Sequence, residues 1–399
     1  MKVLHVIPFP GVGGSEIATR RLAEAVRPCG VESAVLLLAP TKDQEAYFAA
    51  AGLDGIASVR RPEPSLVRHA LAFGLDSARL ARLFATFDLI HCADVLAAYY
   101  VAIAGRMAQR PTICHVRNRA VDMPSRSKVF IGAAQHFVFV SEHTRANFPL
   151  RLPRHRTSVL YDGVDIPTDI GPETRAAAAA DVRAEFGLPE GAVIAAMFAR
   201  VNPQKDYETL VQAAALLRDS HPSLRFLVVG DNQRVELNRR HFQAVDRALR
   251  AAGLRDRFVF AGFRDDTRRL MLAADLSVLC THFEGLPLAL IEAMAAGCPC
   301  VATAVDGIPE VLAEPDVGLL HAHGDAHELA AAIAQLADHP AEARMMGARA
   351  RAAAQARFSQ ERFARDAQAL YNRLLGGSAR PDRSRTQAAM RQDGEQALT

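Results

Sequence analysis

Short apolar runs alternate with longer amphipathic segments along most of the chain. In the first half, the apolar runs predict buried strands over residues 3–7, 33–38, 89–92, 112–115 and 137–140. Segments rich in alanine and arginine lie between them with a helical period, as at 16–26 and 78–85. Such an alternation predicts a doubly wound parallel sheet with helices on both faces.

The same pattern returns in the second half, after residues 167–181, which contain prolines, a glycine and an alanine run. We interpret 167–181 as the interdomain segment. Strands are predicted at 193–198, 225–229, 258–260, 276–279 and 299–302, with helices at 206–218, 239–252, 266–273, 287–296, 326–337 and 340–356.

The predicted fold is therefore α/β, with two Rossmann-like parallel-sheet domains over 1–168 and 169–357 that face a central cleft. An amphipathic helix is predicted at 358–375. Residues 376–399 have almost no apolar pattern, so we expect a disordered tail.

Composition narrows the functional classes. The chain has 399 residues and a formal net charge of +3, which is too small to indicate nucleic-acid binding. Its six cysteines are scattered without metal-ligand spacing, which favours free thiols in a reducing cytoplasm. The N-terminus lacks the features of a signal peptide, and the apolar run at 95–105 is too short to cross a bilayer. We expect a cytoplasmic protein.

Two glutamates stand eight residues apart around the start of a predicted helix. Pro287 suits the first helical turn and Gly297 suits the helix end. Glu284 then lies in the loop before the helix, and Glu292 lies more than a turn inside it. Free N–H groups and the helix dipole between them favour a phosphate. A nucleotide-sugar has this arrangement, with phosphates between two sets of hydroxyls.

Two cations follow the first strand of the second half. Arg200 offers a planar guanidinium and Lys205 a compact ammonium, and together they can neutralise a diphosphate. Either residue alone is more typical of a solvated surface. Their position at a strand end, together with the downstream glutamates, favours a binding role.

A glycine-rich loop, Gly11-Val12-Gly13-Gly14-Ser15-Glu16, joins the first strand to the first helix. Glycines there allow a ligand to approach the backbone. The spacing does not fit the dinucleotide fingerprint, and no acidic residue ends the second strand. A nicotinamide-dependent reductase is therefore disfavoured.

Several polar residues close other strands. His115 ends one of them, and a structural and a ligand-contacting role are both open for it. His91 and Asp94 close the preceding strand, where the structural interpretation is slightly favoured. Gly230 and Asp231 follow the 225–229 strand and either line a nucleotide pocket or turn the chain.

Residues 117–156 carry eight arginines and lysines against two acidic residues. Such a segment is usually a solvated face. It also permits a surface for an anionic membrane or a phosphorylated acceptor.

These motifs together resemble the retaining glycosyltransferases of family 4, which have the GT-B architecture. The resemblance covers nearly the whole chain. Its most specific element is E-x7-E, from Glu284 to Glu292, within E-G-L-P-L-A-L-I-E-A-M-A-A-G. The segments 159–165 (V-L-Y-D-G-V-D), 304–310 (A-V-D-G-I-P-E) and 140–142 (V-S-E) are also similar to family motifs.

The resemblance implies a role for each candidate residue. Arg200 and Lys205 would bind the donor diphosphate, Glu292 the ribose hydroxyls, and Glu284 a hydroxyl of the transferred sugar. The donor-binding set is Gly13, Gly14, Arg200, Lys205, Gly230, Glu284, Gly285, Leu286, Leu288 and Glu292. Glu284, His115, Arg200 and Lys205 would be the catalytic residues, with His115 contacting the sugar or stabilising the transition state. The last helix would cross back onto the first domain.

Three positions depart from the family pattern. Asp162 replaces the usual asparagine, Asp206 stands where glycine often follows the lysine, and the region around Asp306 lacks the second glycine of a pair.

The implied reaction moves a sugar from a nucleoside-diphosphate sugar to an acceptor hydroxyl with retained configuration. No acidic D-x-D motif is present, so no metal is expected. The acceptor is open: a lipid-linked saccharide, a lipopolysaccharide core or a small molecule. The alternatives are a sugar-nucleotide epimerase or hydrolase on the same fold, and a non-catalytic sugar-nucleotide-binding protein.

Overall fold

The computed structural model describes residues 1–57, 66–119, 123 and 125–376. Within these residues the chain builds two fully parallel sheets. The predicted α/β class with two parallel-sheet domains is confirmed. The predicted tail lies outside the described residues, apart from Gly376, which ends the last helix.

The first domain contains a seven-stranded sheet in the order β3-β2-β1-β4-β5-β6-β7. Its strands are β1 Lys2–Ile7, β2 Glu32–Leu37, β3 Asp54–Ala57, β4 Leu89–Cys92, β5 Thr112–Val116, β6 His136–Phe139 and β7 Thr157–Val159. Its helices are α1 Gly14–Val26, α2 Lys42–Ala49, α3 Leu66–Phe84, α4 Val95–Met107, α5 Ser125–Gly132 and α6 Glu142–Ala146. The central strands are buried on both faces, as in other parallel sheets.

The second domain contains a six-stranded sheet in the order β10-β9-β8-β11-β12-β13. Its strands are β8 Val193–Phe198, β9 Leu224–Val229, β10 Phe258–Gly262, β11 Leu276–Leu279, β12 Cys300–Thr303 and β13 Leu319–His321. Its helices are α7 Pro172–Phe186, α8 Tyr207–Leu216, α9 Glu236–Ala251, α10 Thr267–Ala273, α11 Leu288–Ala295, α12 Ile308–Val311, α13 Ala326–Asp338 and α14 Pro340–Phe358.

Three strands were absent from the sequence prediction, and all three lie at sheet edges. β3 and β7 are the two edges of the first sheet, and β13 is one edge of the second. Edge strands are short and cover less of the core, so they lack the apolar runs that identify central strands. Leu320 in β13, for example, is exposed.

The predicted interdomain segment at 167–181 is wrong over much of its length, because helix α7 begins at Pro172 and includes the alanine run. The helix starts with proline in its first turn and ends at Gly187, which has φ +61°. Ala178 and Val182 of α7 are buried in the core of the second domain. Ala179 also packs against this core, while Ala176, Ala177 and Ala180 are exposed, so the alanine run belongs to a helix that covers the domain and is not a linker.

The last helix, α15 Gln360–Gly376, returns to the first domain as the resemblance implied. It packs against α1, and its Phe363, Leu370 and Tyr371 join a core cluster with residues of β1, β4 and β5. The hydroxyl of Tyr371 lies 2.7 Å from Nδ1 of His91. The crossing is therefore a buried contact between the end of the chain and the first sheet.

Replacing Tyr371 tests this contact. Tyr371→Ala removes a fully buried ring and its hydrogen bond, so we expect a loss of about 3–5 kcal/mol and a thermal midpoint lower by about 6 °C or more. Arg365→Ala, on the exposed face of α15, is the control and is expected to leave the midpoint within about 1 °C. Equal midpoints for the two variants would contradict a packed crossing.

Candidate active site

The candidate residues of the second domain lie where the strand order reverses. β8 is flanked by β9 on one side and β11 on the other, so the loops after β8 and β11 diverge at their carboxyl ends. Open α/β sheets bind ligands at such a position. The β8–α8 loop carries Lys205, and the β11–α11 loop carries Glu284. Gln204 joins the two loops by accepting from the amide of His282 at 2.9 Å.

Lys205 and Glu284 form an ion pair in which both side chains are about nine-tenths buried. The hydroxyl of Thr281 donates to Glu284 at 3.3 Å, and the Glu284 amide donates to Asp306 at 2.9 Å. Asp306 has φ +47°, a left-handed conformation in which glycine is common. The departure at this position therefore supplies a carboxylate that fixes the loop of Glu284.

Glu292 pairs with a residue of the other domain. It lies on α11, and Nη2 of Arg21 on α1 donates to it at 2.6 Å. The two side chains are 26% and 21% exposed, so the pair is partly accessible to solvent. Arg21 did not emerge from the sequence, because 271 residues separate it from its partner.

Helix α11 begins one residue later than predicted, with Pro287 as its N-cap and Gly297 at φ +68° just after its end. Within the described part of the chain, the amides of Gly285, Leu286 and Leu288 have no hydrogen-bond acceptor. The resemblance placed these three residues in the donor-binding set, and free amides at a helix start suit the donor's phosphates. No other group in the described residues competes with a ligand for these three amides.

Arg200 and Gly230 lie at the ends of neighbouring strands β8 and β9. A Cβ atom on Gly230 would overlap the carbonyl of Ala199, so only glycine allows the two strand ends to approach this closely. The Arg200 side chain is exposed and has no ion-pair partner among the described residues. Asp231 accepts from the amides of Gln233 and Arg234, so it turns the chain.

The glycine-rich loop opens α1. Gly13 is the N-cap, and its amide donates to the Glu16 carboxylate at 3.0 Å, which is the half of a capping box that glycine allows. A Cβ atom on Gly14 would meet nothing within 4 Å, which leaves space for a ligand. Burial raises the pKa of Glu16 and that of Asp94, so two buried carboxyls lie on this side of the cleft.

His115 is fully buried in β5 and has no surface in the cleft. Its Nδ1 lies 3.1 Å from Nε2 of His91, and the two rings stack. Burial, and then the charge of Arg117, hold the pKa of His115 well below its usual range, so the ring is neutral. Within the described residues His115 makes no hydrogen bond or ion pair with Glu284 or Lys205, and its predicted catalytic role stays a prediction.

Arg117, two residues further on, reaches the domain boundary instead. Its guanidinium pairs with both oxygens of Asp162, and both side chains are only 5% exposed. The aspartate that replaces the usual asparagine is thus the counter-ion of a buried arginine. Strand β5 extends one residue beyond its predicted end, and the sequence pattern did not indicate which of its polar residues faces the boundary.

The two domains touch directly beside Glu284. A Cβ atom on Gly285 would overlap the backbone carbonyl of Arg117, and one on Gly307 would overlap the carbonyl of Gly285. Ser141 donates to that same carbonyl at 3.3 Å. Glu310 accepts from the amides of Glu142 and His143 at 2.9 and 3.2 Å.

Only some of the cations in the basic segment 117–156 are free to form a binding surface. Arg117 is buried, Arg156 donates to backbone carbonyls including those of Gly132 and Gln135, and Arg145 pairs with Glu142. Contact with a membrane stays a prediction. No helix in the described part of the chain has the length and apolar character to cross a membrane.

Asp206 differs from the glycine expected after the lysine, and it caps α8 by accepting from the amide of Thr209 at 3.1 Å. With His282 and His323 it forms a group of three metal-ligand side chains.

Comparison with protein families matches both halves of the chain. The model of glycosyl transferases group 1 matches residues 179–353, and that of Glycosyltransferase Family 4 matches residues 12–167. The chain belongs to glycosyltransferase family 4.

Curated relatives of this glycosyltransferase include a 2-deoxystreptamine glucosyltransferase of Streptomyces kanamyceticus, 35% identical over 44% of this chain and 45% of that protein. A D-inositol 3-phosphate glycosyltransferase of Streptomyces avermitilis is 28% identical over 83% of this chain and 73% of that protein. Several of the curated relatives, including the first, are matched over only about half of their own length.

Solved glycosyltransferases share the GT-B fold of this family 4 chain. HepE of Anabaena in complex with UDP superposes with a TM-score of 0.80 at 23% identity, covering 93% of this chain and 99% of that one. WaaG, a glycosyltransferase involved in lipopolysaccharide biosynthesis, superposes with a TM-score of 0.70 at 17% identity, covering 94% and 100%.

The Arg117–Asp162 pair gives a stability test for this glycosyltransferase. Asp162→Ala leaves a buried guanidinium unpaired, so we expect a loss of about 3–5 kcal/mol in chemical denaturation. Asp162→Asn keeps an oxygen acceptor and is expected to lose less. Asp219→Ala removes an ion-paired carboxylate whose side chain is 86% exposed and is expected to lose less than about 1 kcal/mol. A loss in Asp162→Ala no greater than that of Asp219→Ala would show that the pair carries no stability.

Proposed function

We propose that this protein is a retaining glycosyltransferase that moves a sugar from a UDP- or GDP-sugar to an acceptor hydroxyl. The observation that carries the proposal is the Lys205–Glu284 pair beside the unpaired amides at the start of α11, at the strand-order reversal of the second sheet. HepE of Anabaena, which shares the fold, is solved with UDP and with UDP-glucose, which supports a uridine donor. We place the reaction in bacterial polysaccharide, lipopolysaccharide or glycolipid synthesis.

The chemistry follows from where charge develops. As the bond between the sugar and the diphosphate breaks, negative charge grows on the leaving oxygen. Lys205, Arg200 and the amides of Gly285 and Leu288 offer fixed positive charge and N–H dipoles for it. The acceptor hydroxyl attacks from the same face and passes its proton to the leaving phosphate oxygen. In this proposal no side chain becomes a covalent nucleophile, and no metal takes part.

The first domain would receive the acceptor. The space beside Gly14 and the two buried carboxyls Glu16 and Asp94 lie on that side of the cleft. Glu284 would bind a hydroxyl of the transferred sugar, and Glu292 would bind the ribose.

A nucleotide-sugar panel tests the function. We expect one donor among UDP-glucose, UDP-N-acetylglucosamine, GDP-mannose and ADP-glucose to raise the thermal midpoint, because a ligand at 100 times its Kd stabilises by about 2.7 kcal/mol. With the stabilising donor, nucleotide release that depends on an added saccharide, glycolipid or aminocyclitol indicates transfer, and NMR of the product gives the anomeric configuration. Nucleotide release or isomerisation without acceptor indicates a hydrolase or epimerase. Binding without turnover indicates a non-catalytic protein, and an inverted product removes the retaining mechanism.

Replacing each partner of the interdomain ion pair should have a different effect on donor affinity. Glu292→Ala removes the proposed ribose acceptor, and we expect UDP affinity to fall at least about ten-fold, which is 1.4 kcal/mol. Arg21→Ala breaks the same ion pair but frees Glu292, so UDP affinity should stay equal or rise. Isothermal titration of both variants measures this. An equal loss of UDP affinity in the two variants would mean that Glu292 acts through its ion pair with Arg21 and does not bind the ribose.

A further inference from the structure

Three metal-ligand side chains converge at the carboxyl ends of the strands of the second sheet, beside the Lys205–Glu284 pair. Asp206 precedes α8, His282 lies in the β11–α11 loop, and His323 lies in the β13–α13 loop. One ligand atom from each residue lies within 4.8 Å of the other two. Nδ1 of His282 and Nε2 of His323 are 2.7 Å apart. Three separate loops therefore bring their donor atoms to one point.

The Asp206 carboxylate is held in place by other groups. The side chain is buried and accepts from the amide of Thr209 at 3.1 Å and from its hydroxyl at 2.6 Å. Each carboxylate oxygen retains a further lone pair for a ligand. Hydrogen bonds of this kind orient the carboxylates of metal sites and tune their affinity.

The loop positions are fixed as well. The amide of Asp206 donates to the carbonyl of Cys280, and the amide of His282 donates to that of Gln204 at 2.9 Å. Both imidazoles are exposed, so an ion and its remaining water ligand have access from solvent. The Asp206 carboxylate is therefore held in place, and the two histidine rings are able to rotate onto an ion.

We propose that Asp206, His282 and His323 bind one Zn²⁺ ion. Two imidazoles and one carboxylate are ligands that zinc prefers, at about 2.0–2.2 Å, which puts ligand atoms about 3.3 Å apart in a tetrahedron. To reach this geometry the two imidazole nitrogens would separate by about 0.6 Å, and the Asp206 oxygen, which lies within 4.8 Å of them, would approach by up to about 1.5 Å.

The ion would tie together the three loops, two of which carry Lys205 and Glu284. The site lies beside the proposed transfer chemistry, and no step of the transfer passes through it. The proposal is independent of the transferase function, because binding of the metal is measured without donor or acceptor.

The proposal is tested by measuring how well the metal-stripped protein competes for Zn²⁺ with a chromophoric chelator of micromolar affinity. We expect one Zn²⁺ per chain, an affinity at least about ten-fold weaker in His282→Ala and in His323→Ala, and a zinc-dependent rise in thermal midpoint that both variants lose. His327→Ala changes an exposed histidine in the first turn of α13 and serves as the control, with unchanged binding expected.

Three results would overturn the assignment. The wild-type chain fails to compete with the chelator, or all three histidine variants bind zinc as tightly as the wild type. The second result would mean that the metal is held elsewhere. Loss of binding in His327→Ala as well as in the other two would indicate a diffuse histidine surface, which is also incompatible with a defined three-residue site.

Discussion

The close approach of backbone at Gly285 determines how the two domains meet. No side chain separates Gly285 from the carbonyl of Arg117 or Gly307 from the carbonyl of Gly285, so two loops of the second domain and one strand end of the first are in direct contact. Ser141 adds a hydrogen bond across this boundary. Because Gly285 directly follows Glu284 and precedes α11, the contact sets the position of the anion-binding helix start relative to the first domain. An added methyl group would move the domains apart at the point where donor and acceptor have to meet.

Three carboxylates along this boundary each pair with a cation. Glu284 pairs with Lys205, Glu292 with Arg21, and Asp162 with Arg117. The pairs differ in burial, and this difference separates their roles. The Arg117–Asp162 pair is closed to solvent, and removing one partner would leave an uncompensated charge, which makes it a structural element. The other two pairs are more accessible and lie beside unpaired amides, where a diphosphate and a sugar would exchange with them.

The sequence predicted the central strands of both sheets and one edge strand, β10, and it missed the other three edges, β3, β7 and β13. Apolar runs indicate burial on both faces, and an edge strand such as β13 has little of it. The alanine run of α7 has no amphipathic contrast, so a packed helix resembled a linker. Lys205 was predicted from its position after a strand and Glu284 from its position before a predicted helix, and parallel topology brings the two loops together. Arg21 and the burial of His115 depend on packing between segments far apart in the chain. No local pattern contains that information.

The Arg21–Glu292 pair is partly open to solvent, so a ligand can compete for its carboxylate. Its side chains are 21% and 26% exposed, so its energy lies between that of a solvated surface pair, about 1 kcal/mol or less, and that of a buried pair. A ribose that offers two hydroxyl donors to the carboxylate replaces that energy with hydrogen bonds to a charged group, which contribute about 1.5–3 kcal/mol each. With the ribose contact proposed above, the donor would compete with Arg21 for this carboxylate. That competition would release Arg21 on α1, the helix that begins at the glycine-rich loop. Donor binding to the second domain would thus remove one contact that holds the first, and the two sides of the cleft would be coupled through a single carboxylate.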